Sequence, residues 1–205
     1  MTITIVDYGV GNLTSIANML KKAGFASEIT GDLDAVRAAS KLILPGVGAF
    51  DRAATRLRET GLDDAVRERA AAGVPFLGVC LGMQLLLDSS EEGTLPGLGL
   101  VPGTVRRLPP VVDGRTMKVP HMGWNTIERS DAGEVLGSVR DGSRFYFLHS
   151  YYADPLDPAH RMGVSVHGVP FASMVRNENV AGVQFHPEKS HRAGLALMSD
   201  FGRQP

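Results

Sequence analysis

One short segment, residues 74–84, limits how this chain can fold. It places Cys80, the only cysteine among 205 residues, between Gly78 and Gly82. The apolar run at residues 76–79 is typical of a buried strand, and residues 81–88 continue as a buried helix would. A strand that passes directly into a helix makes a sharp corner, where glycines leave room for neighbouring backbone. The segment therefore predicts a strand, an elbow and a helix, with the thiol lifted out of the sheet.

The predicted corner suits a nucleophile. Like the Gly-x-Ser-x-Gly elbow of hydrolases, it places a side-chain nucleophile between two glycines at a strand-to-helix turn, with sulfur in place of oxygen. The helix that follows would bring its partial positive charge beside the sulfur of Cys80, which favours the thiolate. A free cysteine is also often a small apolar filler of the core. The local pattern alone leaves both interpretations open.

A second segment, residues 180–190, contains His186 and Glu188 just after an apolar run. In an extended chain, residues i and i+2 face the same side, about 7 Å apart along the backbone. A carboxylate beside an imidazole can fix its tautomer and leave the other ring nitrogen to exchange a proton with a thiol. The alternative is a pair of solvated loop residues.

In the rest of the chain, the pattern of secondary-structure signals changes near residue 95. Before it, strand patterns at 3–6, 25–29, 42–44 and 76–79 alternate with helical patterns, the first of them capped by Asn12 and ended by Gly24. After it, strands are separated by Pro and Gly, at 103–108, 117–119, 144–152, 163–166, 171–176 and 180–185, with a final helix at 193–201. We therefore predict an α/β sandwich, with a parallel central sheet and an antiparallel extension in the C-terminal half, as one domain over residues 1–205.

Charge and cysteine content narrow the function classes. With 21 basic and 22 acidic residues the formal net charge is −1, so neither nucleic acid nor an anionic membrane is indicated as a partner. A lone cysteine cannot form an internal disulfide, and no signal peptide or membrane span is evident, so a cytoplasmic location is expected. The histidines at 121, 160, 167 and 191 lack a spacing suited to a metal, and no metal is predicted.

Two glycine-rich turns invite functional interpretations. Residues 9–14 superficially resemble a dinucleotide fingerprint, but Thr14 stands where a third glycine belongs, so nucleotide binding is rejected there. Residues 45–48, Pro-Gly-Val-Gly, follow a predicted strand whose end should lie near the elbow, and their backbone N–H groups could stabilise an oxyanion. The alternative is that these residues have no functional role, since Pro and Gly are common in ordinary turns.

Taken together, residues 45–48, 78–84 and 186–188 resemble the class I, or triad, glutamine amidotransferases. The resemblance implies a flavodoxin-like fold, L-glutamine as the substrate and no cofactor. It implies that Cys80 is the nucleophile, His186 the general base and acid, and Glu188 its orienting carboxylate. It further implies oxyanion donors at Val47, Gly48 and Leu81, and glutamine contacts at Gly46, Gly48, Gln84, His149, Ser150 and Tyr151. Gln84 lies one helical turn after Cys80, on the same face, which suits such a contact.

Residues 7–12, 120–125, 147–151 and 186–190 narrow the resemblance to glutaminase subunits that supply ammonia to a separate (β/α)8-barrel cyclase in histidine biosynthesis. This implies a heterodimer, with the barrel docked near Asn12, Trp124 and Lys189. Trp124 could equally be an ordinary core or edge residue. Two alternatives remain: the glutaminase of another synthase, such as those of anthranilate or pyridoxal phosphate formation, and a catalytically silent binding module. The intact Cys80, His186 and Glu188 argue against the second.

Overall fold

The computed structural model describes residues 2–129 and 139–205. The N-terminal half contains β1 (Thr2–Val6), α1 (Leu13–Lys22), β2 (Ala26–Thr30), α2 (Leu33–Ala38), β3 (Leu42–Gly46), α3 (Phe50–Glu59), α4 (Leu62–Ala71), β4 (Phe76–Cys80) and α5 (Leu81–Leu85). The C-terminal half contains β5 (Ser89–Ser90), β6 (Gly103–Arg107), β7 (Val111–Val112), β8 (Arg115–Thr116), β9 (His121–Arg129), β10 (Ser143–His149), β11 (Tyr151–Pro155), β12 (Arg161–His167), β13 (Val169–Asn177), β14 (Val180–Val183) and α6 (His191–Arg203). Short 3-10 turns lie at Pro158–His160 and Pro187–Lys189.

A large mixed sheet runs through both halves of the chain. Its order is β10-β9-β12-β13-β14-β4-β3-β1-β2. The strands β2, β1, β3, β4 and β14 are parallel, whereas β13, β12, β9 and β10 pair with their neighbours in antiparallel fashion. The predicted α/β architecture, parallel at the centre and antiparallel in the C-terminal half, is confirmed.

The sheet is covered on both faces because its central strands carry apolar side chains on both sides. On one face, Ile3 and Ile5 of β1 pack in a cluster with α1 and α6, whose buried residues include Leu20 and Phe201. On the other face, β3 packs against α2, α3, α4 and α5 through Leu42 and its neighbours. Each cluster draws residues from both halves of the chain, so the two halves share their core.

Strand register brings three distant segments to one edge of the sheet. In the parallel pair β3–β4, Gly46 lies opposite Cys80, and in the parallel pair β14–β4, Val183 lies opposite Val79. The carboxyl ends of parallel strands meet at the same edge, where open α/β sheets bind their ligands. The turn after β3, the elbow after β4 and the segment after β14 are therefore neighbours.

Several local predictions are wrong in detail, and the strand predicted at 180–185 ends at Val183. Residues 117–119 do not form a strand; the carbonyl of Lys118 accepts a hydrogen bond from the His167 ring instead of a ladder partner. The predicted strand at 144–152 is two strands, because β10 pairs with β9 while β11 pairs with β6 and β13, and the chain changes neighbours at Ser150. The helix predicted at 81–88 ends earlier, at Leu85.

Candidate active site

The elbow at Cys80 is a strained corner. Cys80 has φ 55° and ψ −110°, a backbone conformation that costs free energy for any residue with a side chain. A Cβ at Gly78 would lie 2.7 Å from the Gly82 carbonyl oxygen, and one at Gly82 would collide with the carbonyl of Leu44. Both glycines are therefore required by close backbone packing, and the predicted elbow is confirmed.

His186 is held from several directions. Its backbone N–H donates to the carbonyl of Tyr146 at 2.9 Å, and the Ser190 hydroxyl donates to its carbonyl at 2.6 Å. Its ring Nδ1–H donates to Oε1 of Glu188 at 2.8 Å, and both side chains are buried. This arrangement fixes the tautomer and points Nε2 away from the carboxylate.

The charge state of His186 depends on Cys80 and Glu188. Burial lowers the pKa of the imidazole, but its interaction with the nearby Cys80 sulfur and its hydrogen bond to Glu188 outweigh burial and raise the pKa to about 10. The ring is therefore protonated at neutral pH. An imidazolium beside a sulfur favours the thiolate, which is the reactive form of cysteine.

A pocket of about 290 Å³ opens onto the sulfur. Nine of the residues that the sequence predicts to act in catalysis, oxyanion stabilisation or glutamine binding line it: Val47, Gly48, Cys80, Leu81, Gln84, His149, Ser150, Tyr151 and His186. Lys189 also lines it, at the rim, with its ammonium 5.6 Å from the centre of the Tyr146 ring. The volume suits a small amino acid rather than a large ligand.

The remaining nominated residues lie outside the pocket lining. Gly46 is buried beneath the turn, where a Cβ would lie 2.8 Å from the Gly82 nitrogen, and Glu188 stands behind His186. Trp124 is 41% exposed and stacks on the ring of His191, with centroids 5.3 Å apart. Asn12 is exposed at the start of α1 and makes no side-chain cap bond there.

The turn at residues 45–48 is anchored only at its first two residues, Pro45 and Gly46, which belong to β3 and pair with β4. The buried Tyr8 hydroxyl donates to the carbonyl of Pro45 at 2.7 Å. Beyond that point, Val47 is 45% exposed and Gly48 has φ 98°, with no atom within 4 Å of a Cβ placed there. The backbone N–H groups of Val47 and Gly48 thus belong to a segment that packing does not hold.

A directed chain of hydrogen bonds backs the opposite wall. The carbonyl of Tyr151 accepts from Nε2 of Gln84 and from Nδ1 of His149, both at 2.8 Å. Because a carbonyl can only accept, the neutral His149 ring must accept at Nε2, from Nδ1 of His121 at 3.0 Å. His121 in turn accepts from the Asn125 amide at 3.3 Å. Both ring nitrogens of His149 are therefore used within the protein.

Burial keeps both rings of this chain neutral. It lowers the pKa of His121 to about 4 and that of His149 to about 3. The positive charges of neighbouring imidazoles act in the same direction. The wall behind Tyr151 therefore carries no positive charge at neutral pH.

Three residues of the site escaped the sequence analysis. Gln184 contacts Cys80, Tyr8 anchors the turn, and Glu92 lines the pocket while its carboxylate accepts from the N–H of Phe50 at 2.9 Å. A signal existed for Gln184, because it lies two residues before His186 and the strand period places both on one side. Nothing local distinguishes Tyr8 or Glu92.

Residues 2–129 and 139–205 contain no grouping of His, Cys, Asp or Glu arranged to hold a metal ion. Over the same residues, every helix is too short or too polar to cross a membrane.

The family model for class-I glutamine amidotransferases matches residues 4–204. The chain belongs to this family, whose members act on the side-chain amide of glutamine. Its relatives include proteins named imidazole glycerol phosphate synthase subunit HisH. The one from Moorella thermoacetica is 46% identical over 201 residues, covering 98% of this chain and 93% of that protein. The one from Nitrosospira multiformis is 46% identical over 207 residues, covering 98% and 97%.

Solved structures show the same fold at low identity. A glutamine amidotransferase crystal structure superposes with a TM-score of 0.69 at 21% identity, covering 96% of this chain and 98% of that one. A chain in the structure of PurLQS from Thermotoga maritima gives a TM-score of 0.68 at 17% identity, covering 98% and 96%. These likenesses establish the fold of the chain.

Proposed function

We propose that this chain is the glutaminase subunit of an imidazole glycerol phosphate synthase. In this role it hydrolyses L-glutamine through a thioester on Cys80 and passes ammonia to a (β/α)8-barrel cyclase for histidine biosynthesis. The observation that carries the proposal is the buried Cys80–His186–Glu188 arrangement, which opens into a pocket sized for an amino acid. The HisH relatives at 46% identity support the choice of synthase.

The first chemical step forms the thioester. The sulfur of Cys80 attacks the side-chain amide carbon of glutamine, and the negative charge moves to the amide oxygen. Backbone N–H groups of Leu81 and of Val47 or Gly48 stabilise this oxyanion. When the carbon–nitrogen bond breaks, His186 gives its proton to the departing nitrogen, which leaves as ammonia.

The second step releases glutamate. His186, now neutral, takes a proton from water, and the resulting hydroxide attacks the thioester carbon. The carbon–sulfur bond breaks and Cys80 leaves as the thiolate beside the regenerated imidazolium. Glu188 stabilises this imidazolium throughout and holds the ring in one orientation.

Polar groups around the pocket fit the two ends of the substrate. The carboxylate of Glu92 suits the α-ammonium group of glutamine, and backbone N–H groups near Ser150 and Tyr151 suit its α-carboxylate. The Nε2 of Gln84 is used internally, which leaves its carbonyl oxygen for a substrate N–H. His149 supports Tyr151 from behind, so its part in binding is indirect.

This chain has an exposed apolar surface at the mouth of the pocket that is suited to docking the cyclase. Val47, Met122 and Trp124 are 45%, 53% and 41% exposed there, unusually high values for apolar side chains. Met122 lies opposite the pocket residue Leu148 in the β9–β10 pair, and Trp124 contacts the Tyr146 ring. A barrel docked over this surface, with Asn12 and Lys189 at its margins, would receive ammonia directly.

We also take residues 1–205 to act as one domain, since both core clusters draw on both halves of the chain. A reducing compartment such as the cytoplasm suits the mechanism, because a catalytic thiolate must stay unoxidised.

Substitution of Cys80 tests the proposal. Cys80→Ala in the complex with the cyclase should abolish glutamine-dependent synthesis, because the nucleophile is gone. Synthesis from added ammonium salt should continue at the wild-type rate, since external ammonia bypasses the glutaminase. Normal glutamine-dependent turnover would overturn the assignment of Cys80. Failure of the wild-type chain to support the cyclase, despite free glutaminase activity, would point to another synthase.

A further inference from the structure

Gln184 is a buried amide beside the reacting sulfur. It follows β14, has no exposed surface, and its backbone N–H donates to the carbonyl of Ser173 at 2.9 Å. Its side-chain Nε2 lies 3.8 Å from Sγ of Cys80. Gln184 lies two residues before His186 in the bend that follows β14, and both side chains reach the same sulfur from this one segment.

The orientation of this amide is fixed by its neighbours. Nε2 of Gln84 has two hydrogens, of which one goes to the Tyr151 carbonyl at 2.8 Å and the other to Oε1 of Gln184 at 3.1 Å. Reversing the Gln184 amide would place one NH2 group against another. The oxygen of Gln184 therefore faces Gln84, and its NH2 group must face the sulfur of Cys80.

We propose that Gln184 is a further catalytic residue, whose side-chain N–H donates a hydrogen bond to the Cys80 thiolate. The proposal rests on the proposed function, in which Cys80 is the nucleophile. A hydrogen bond to a charged group is stronger than one to a neutral group, so it favours the ionised sulfur. His186 and Gln184 then share the stabilisation of the thiolate.

The same bond assists the second half of the reaction. Once the thioester has formed, the sulfur carries no charge and the bond from Gln184 weakens. When water attacks, the carbon–sulfur bond breaks and its electron pair returns to sulfur, where the waiting N–H group stabilises it. Loss of Gln184 should therefore slow thioester hydrolysis as well as its formation.

Alkylation of the sulfur measures the proposed bond directly. Because Cys80 is the only cysteine, iodoacetamide reports on it alone. The alkylation rate rises with pH as the thiol becomes thiolate, and then reaches a plateau. Gln184→Met keeps the side-chain length and removes the donor, so we expect the rise to move upward by about one to two pH units with the plateau unchanged. Gln184→Glu places a carboxylate near the sulfur and should move the rise in alkylation rate to a still higher pH.

Ser173→Ala is the matched control. Ser173 is buried on the neighbouring strand and pairs with Gln184 through its backbone, while its hydroxyl has no partner among the described residues. This variant should alkylate with the wild-type profile. Each variant is also assayed for glutamine hydrolysis in the complex with the cyclase, where we expect Gln184→Met to lose about 10-fold or more in kcat.

Two results would overturn the inference: a wild-type profile in Gln184→Met, or a rate lowered equally at every pH, which indicates altered access to the sulfur. If Gln184→Met fails to fold, the milder Gln184→Asn, which withdraws the donor by one carbon, gives the same comparison. Failure of the proposed function is distinct, since it would appear as retained glutaminase activity in Cys80→Ala.

Discussion

The triad side of the pocket and the turn at residues 45–48 are held in different ways. The side chains of Cys80, Gln184, His186 and Glu188 are nearly inaccessible to solvent, and hydrogen bonds from Gln184 to Cys80 and from His186 to Glu188 fix their orientation. The turn is anchored at Pro45 by Tyr8 and at Gly46 by the β3–β4 pairing, and beyond these residues Val47 is exposed and Gly48 faces open space. The proposed triad is thus preorganised, whereas the oxyanion donors proposed at Val47 and Gly48 belong to a segment that packing does not hold.

This difference shows where control of the enzyme can act. A rigid triad cannot be switched without disturbing the core, because its side chains sit in both the sheet edge and the packed interior. An exposed glycine-containing turn can change conformation at little cost, and it lies at the face proposed for the cyclase. Docking there can complete the oxyanion site through a preference for one conformation of the turn.

The largest expected effect comes from breaking the rigid side. His186→Ala should lower glutamine hydrolysis by about 10⁴-fold or more, since it removes both the base and the acid. Glu188→Gln should cost less, because the imidazole remains and loses only charge stabilisation and some orientation. Steady-state kinetics of the complex, with circular dichroism to confirm folding, make the comparison. Equal damage from the two substitutions would assign Glu188 a different role.

The next effect tests the mobile side. If the turn lacks one oxyanion donor in the isolated chain, glutaminase activity there should be about 10²- to 10³-fold below that of the active complex. Glutamate release is measured for the chain alone, for its complex with the cyclase, and for the complex with the nucleotide substrate of the cyclase. Activity should rise in that order. Three equal rates would show that the turn needs no partner, while leaving the triad assignment intact.

Acid should loosen the wall behind Tyr151. Burial lowers the pKa of His121 to about 4 and of His149 to about 3, both below the ordinary value of 6.5. The unfolded chain therefore binds more protons, so this stability is complete above pH 6.5 and is lost as pH falls towards 4. As the pH falls from 6.5 to 5, protonation of each ring in the unfolded chain should lower the unfolding free energy by about 2 kcal/mol.

Urea unfolding at several pH values measures this loss. The variants His121→Gln and His149→Gln should be less stable at neutral pH but should lose less stability on acidification. His191→Asn, at an exposed position with φ 47°, is the control and should keep the wild-type slope. An acid slope unchanged in both buried variants would show that other groups cause it.

The smallest expected change in activity or stability comes from Tyr8, which joins the rigid core to the turn at residues 45–48. Tyr8→Phe removes the hydroxyl that donates to the buried Pro45 carbonyl, and should lower the unfolding free energy by about 1 to 2 kcal/mol. Tyr152→Phe removes the same group from a half-buried tyrosine of β11 and should cost less than about 0.5 kcal/mol. Cyclase-stimulated turnover should also fall in Tyr8→Phe, because the base of the turn is released. Equal stability in both variants would mean that Tyr8 does not anchor the turn.

Local sequence patterns predicted much of the site because its chemistry is carried by short segments. The elbow at Cys80 follows from a buried strand, two glycines and a helix within a few residues. The strand period predicted that His186 and Glu188 would meet; they do bond, but across a 3-10 turn at Pro187–Lys189 and not along extended chain. The alternation of strands and helices predicted the α/β sheet. Residues 45–48 could be placed near the elbow because consecutive strands of such a sheet are usually neighbours.

What the sequence by itself determined, then, is the class of fold, the cysteine, imidazole and carboxylate proposed as the triad, and the strands that precede them. Only the tertiary structure decided which way the Gln184 amide points, what Tyr8 anchors, why the chain breaks at Ser150, and how His121 meets His149. These contacts join residues far apart in the chain, so no local periodicity encodes them. They depend on the register of paired strands and on which buried polar groups are left to satisfy one another.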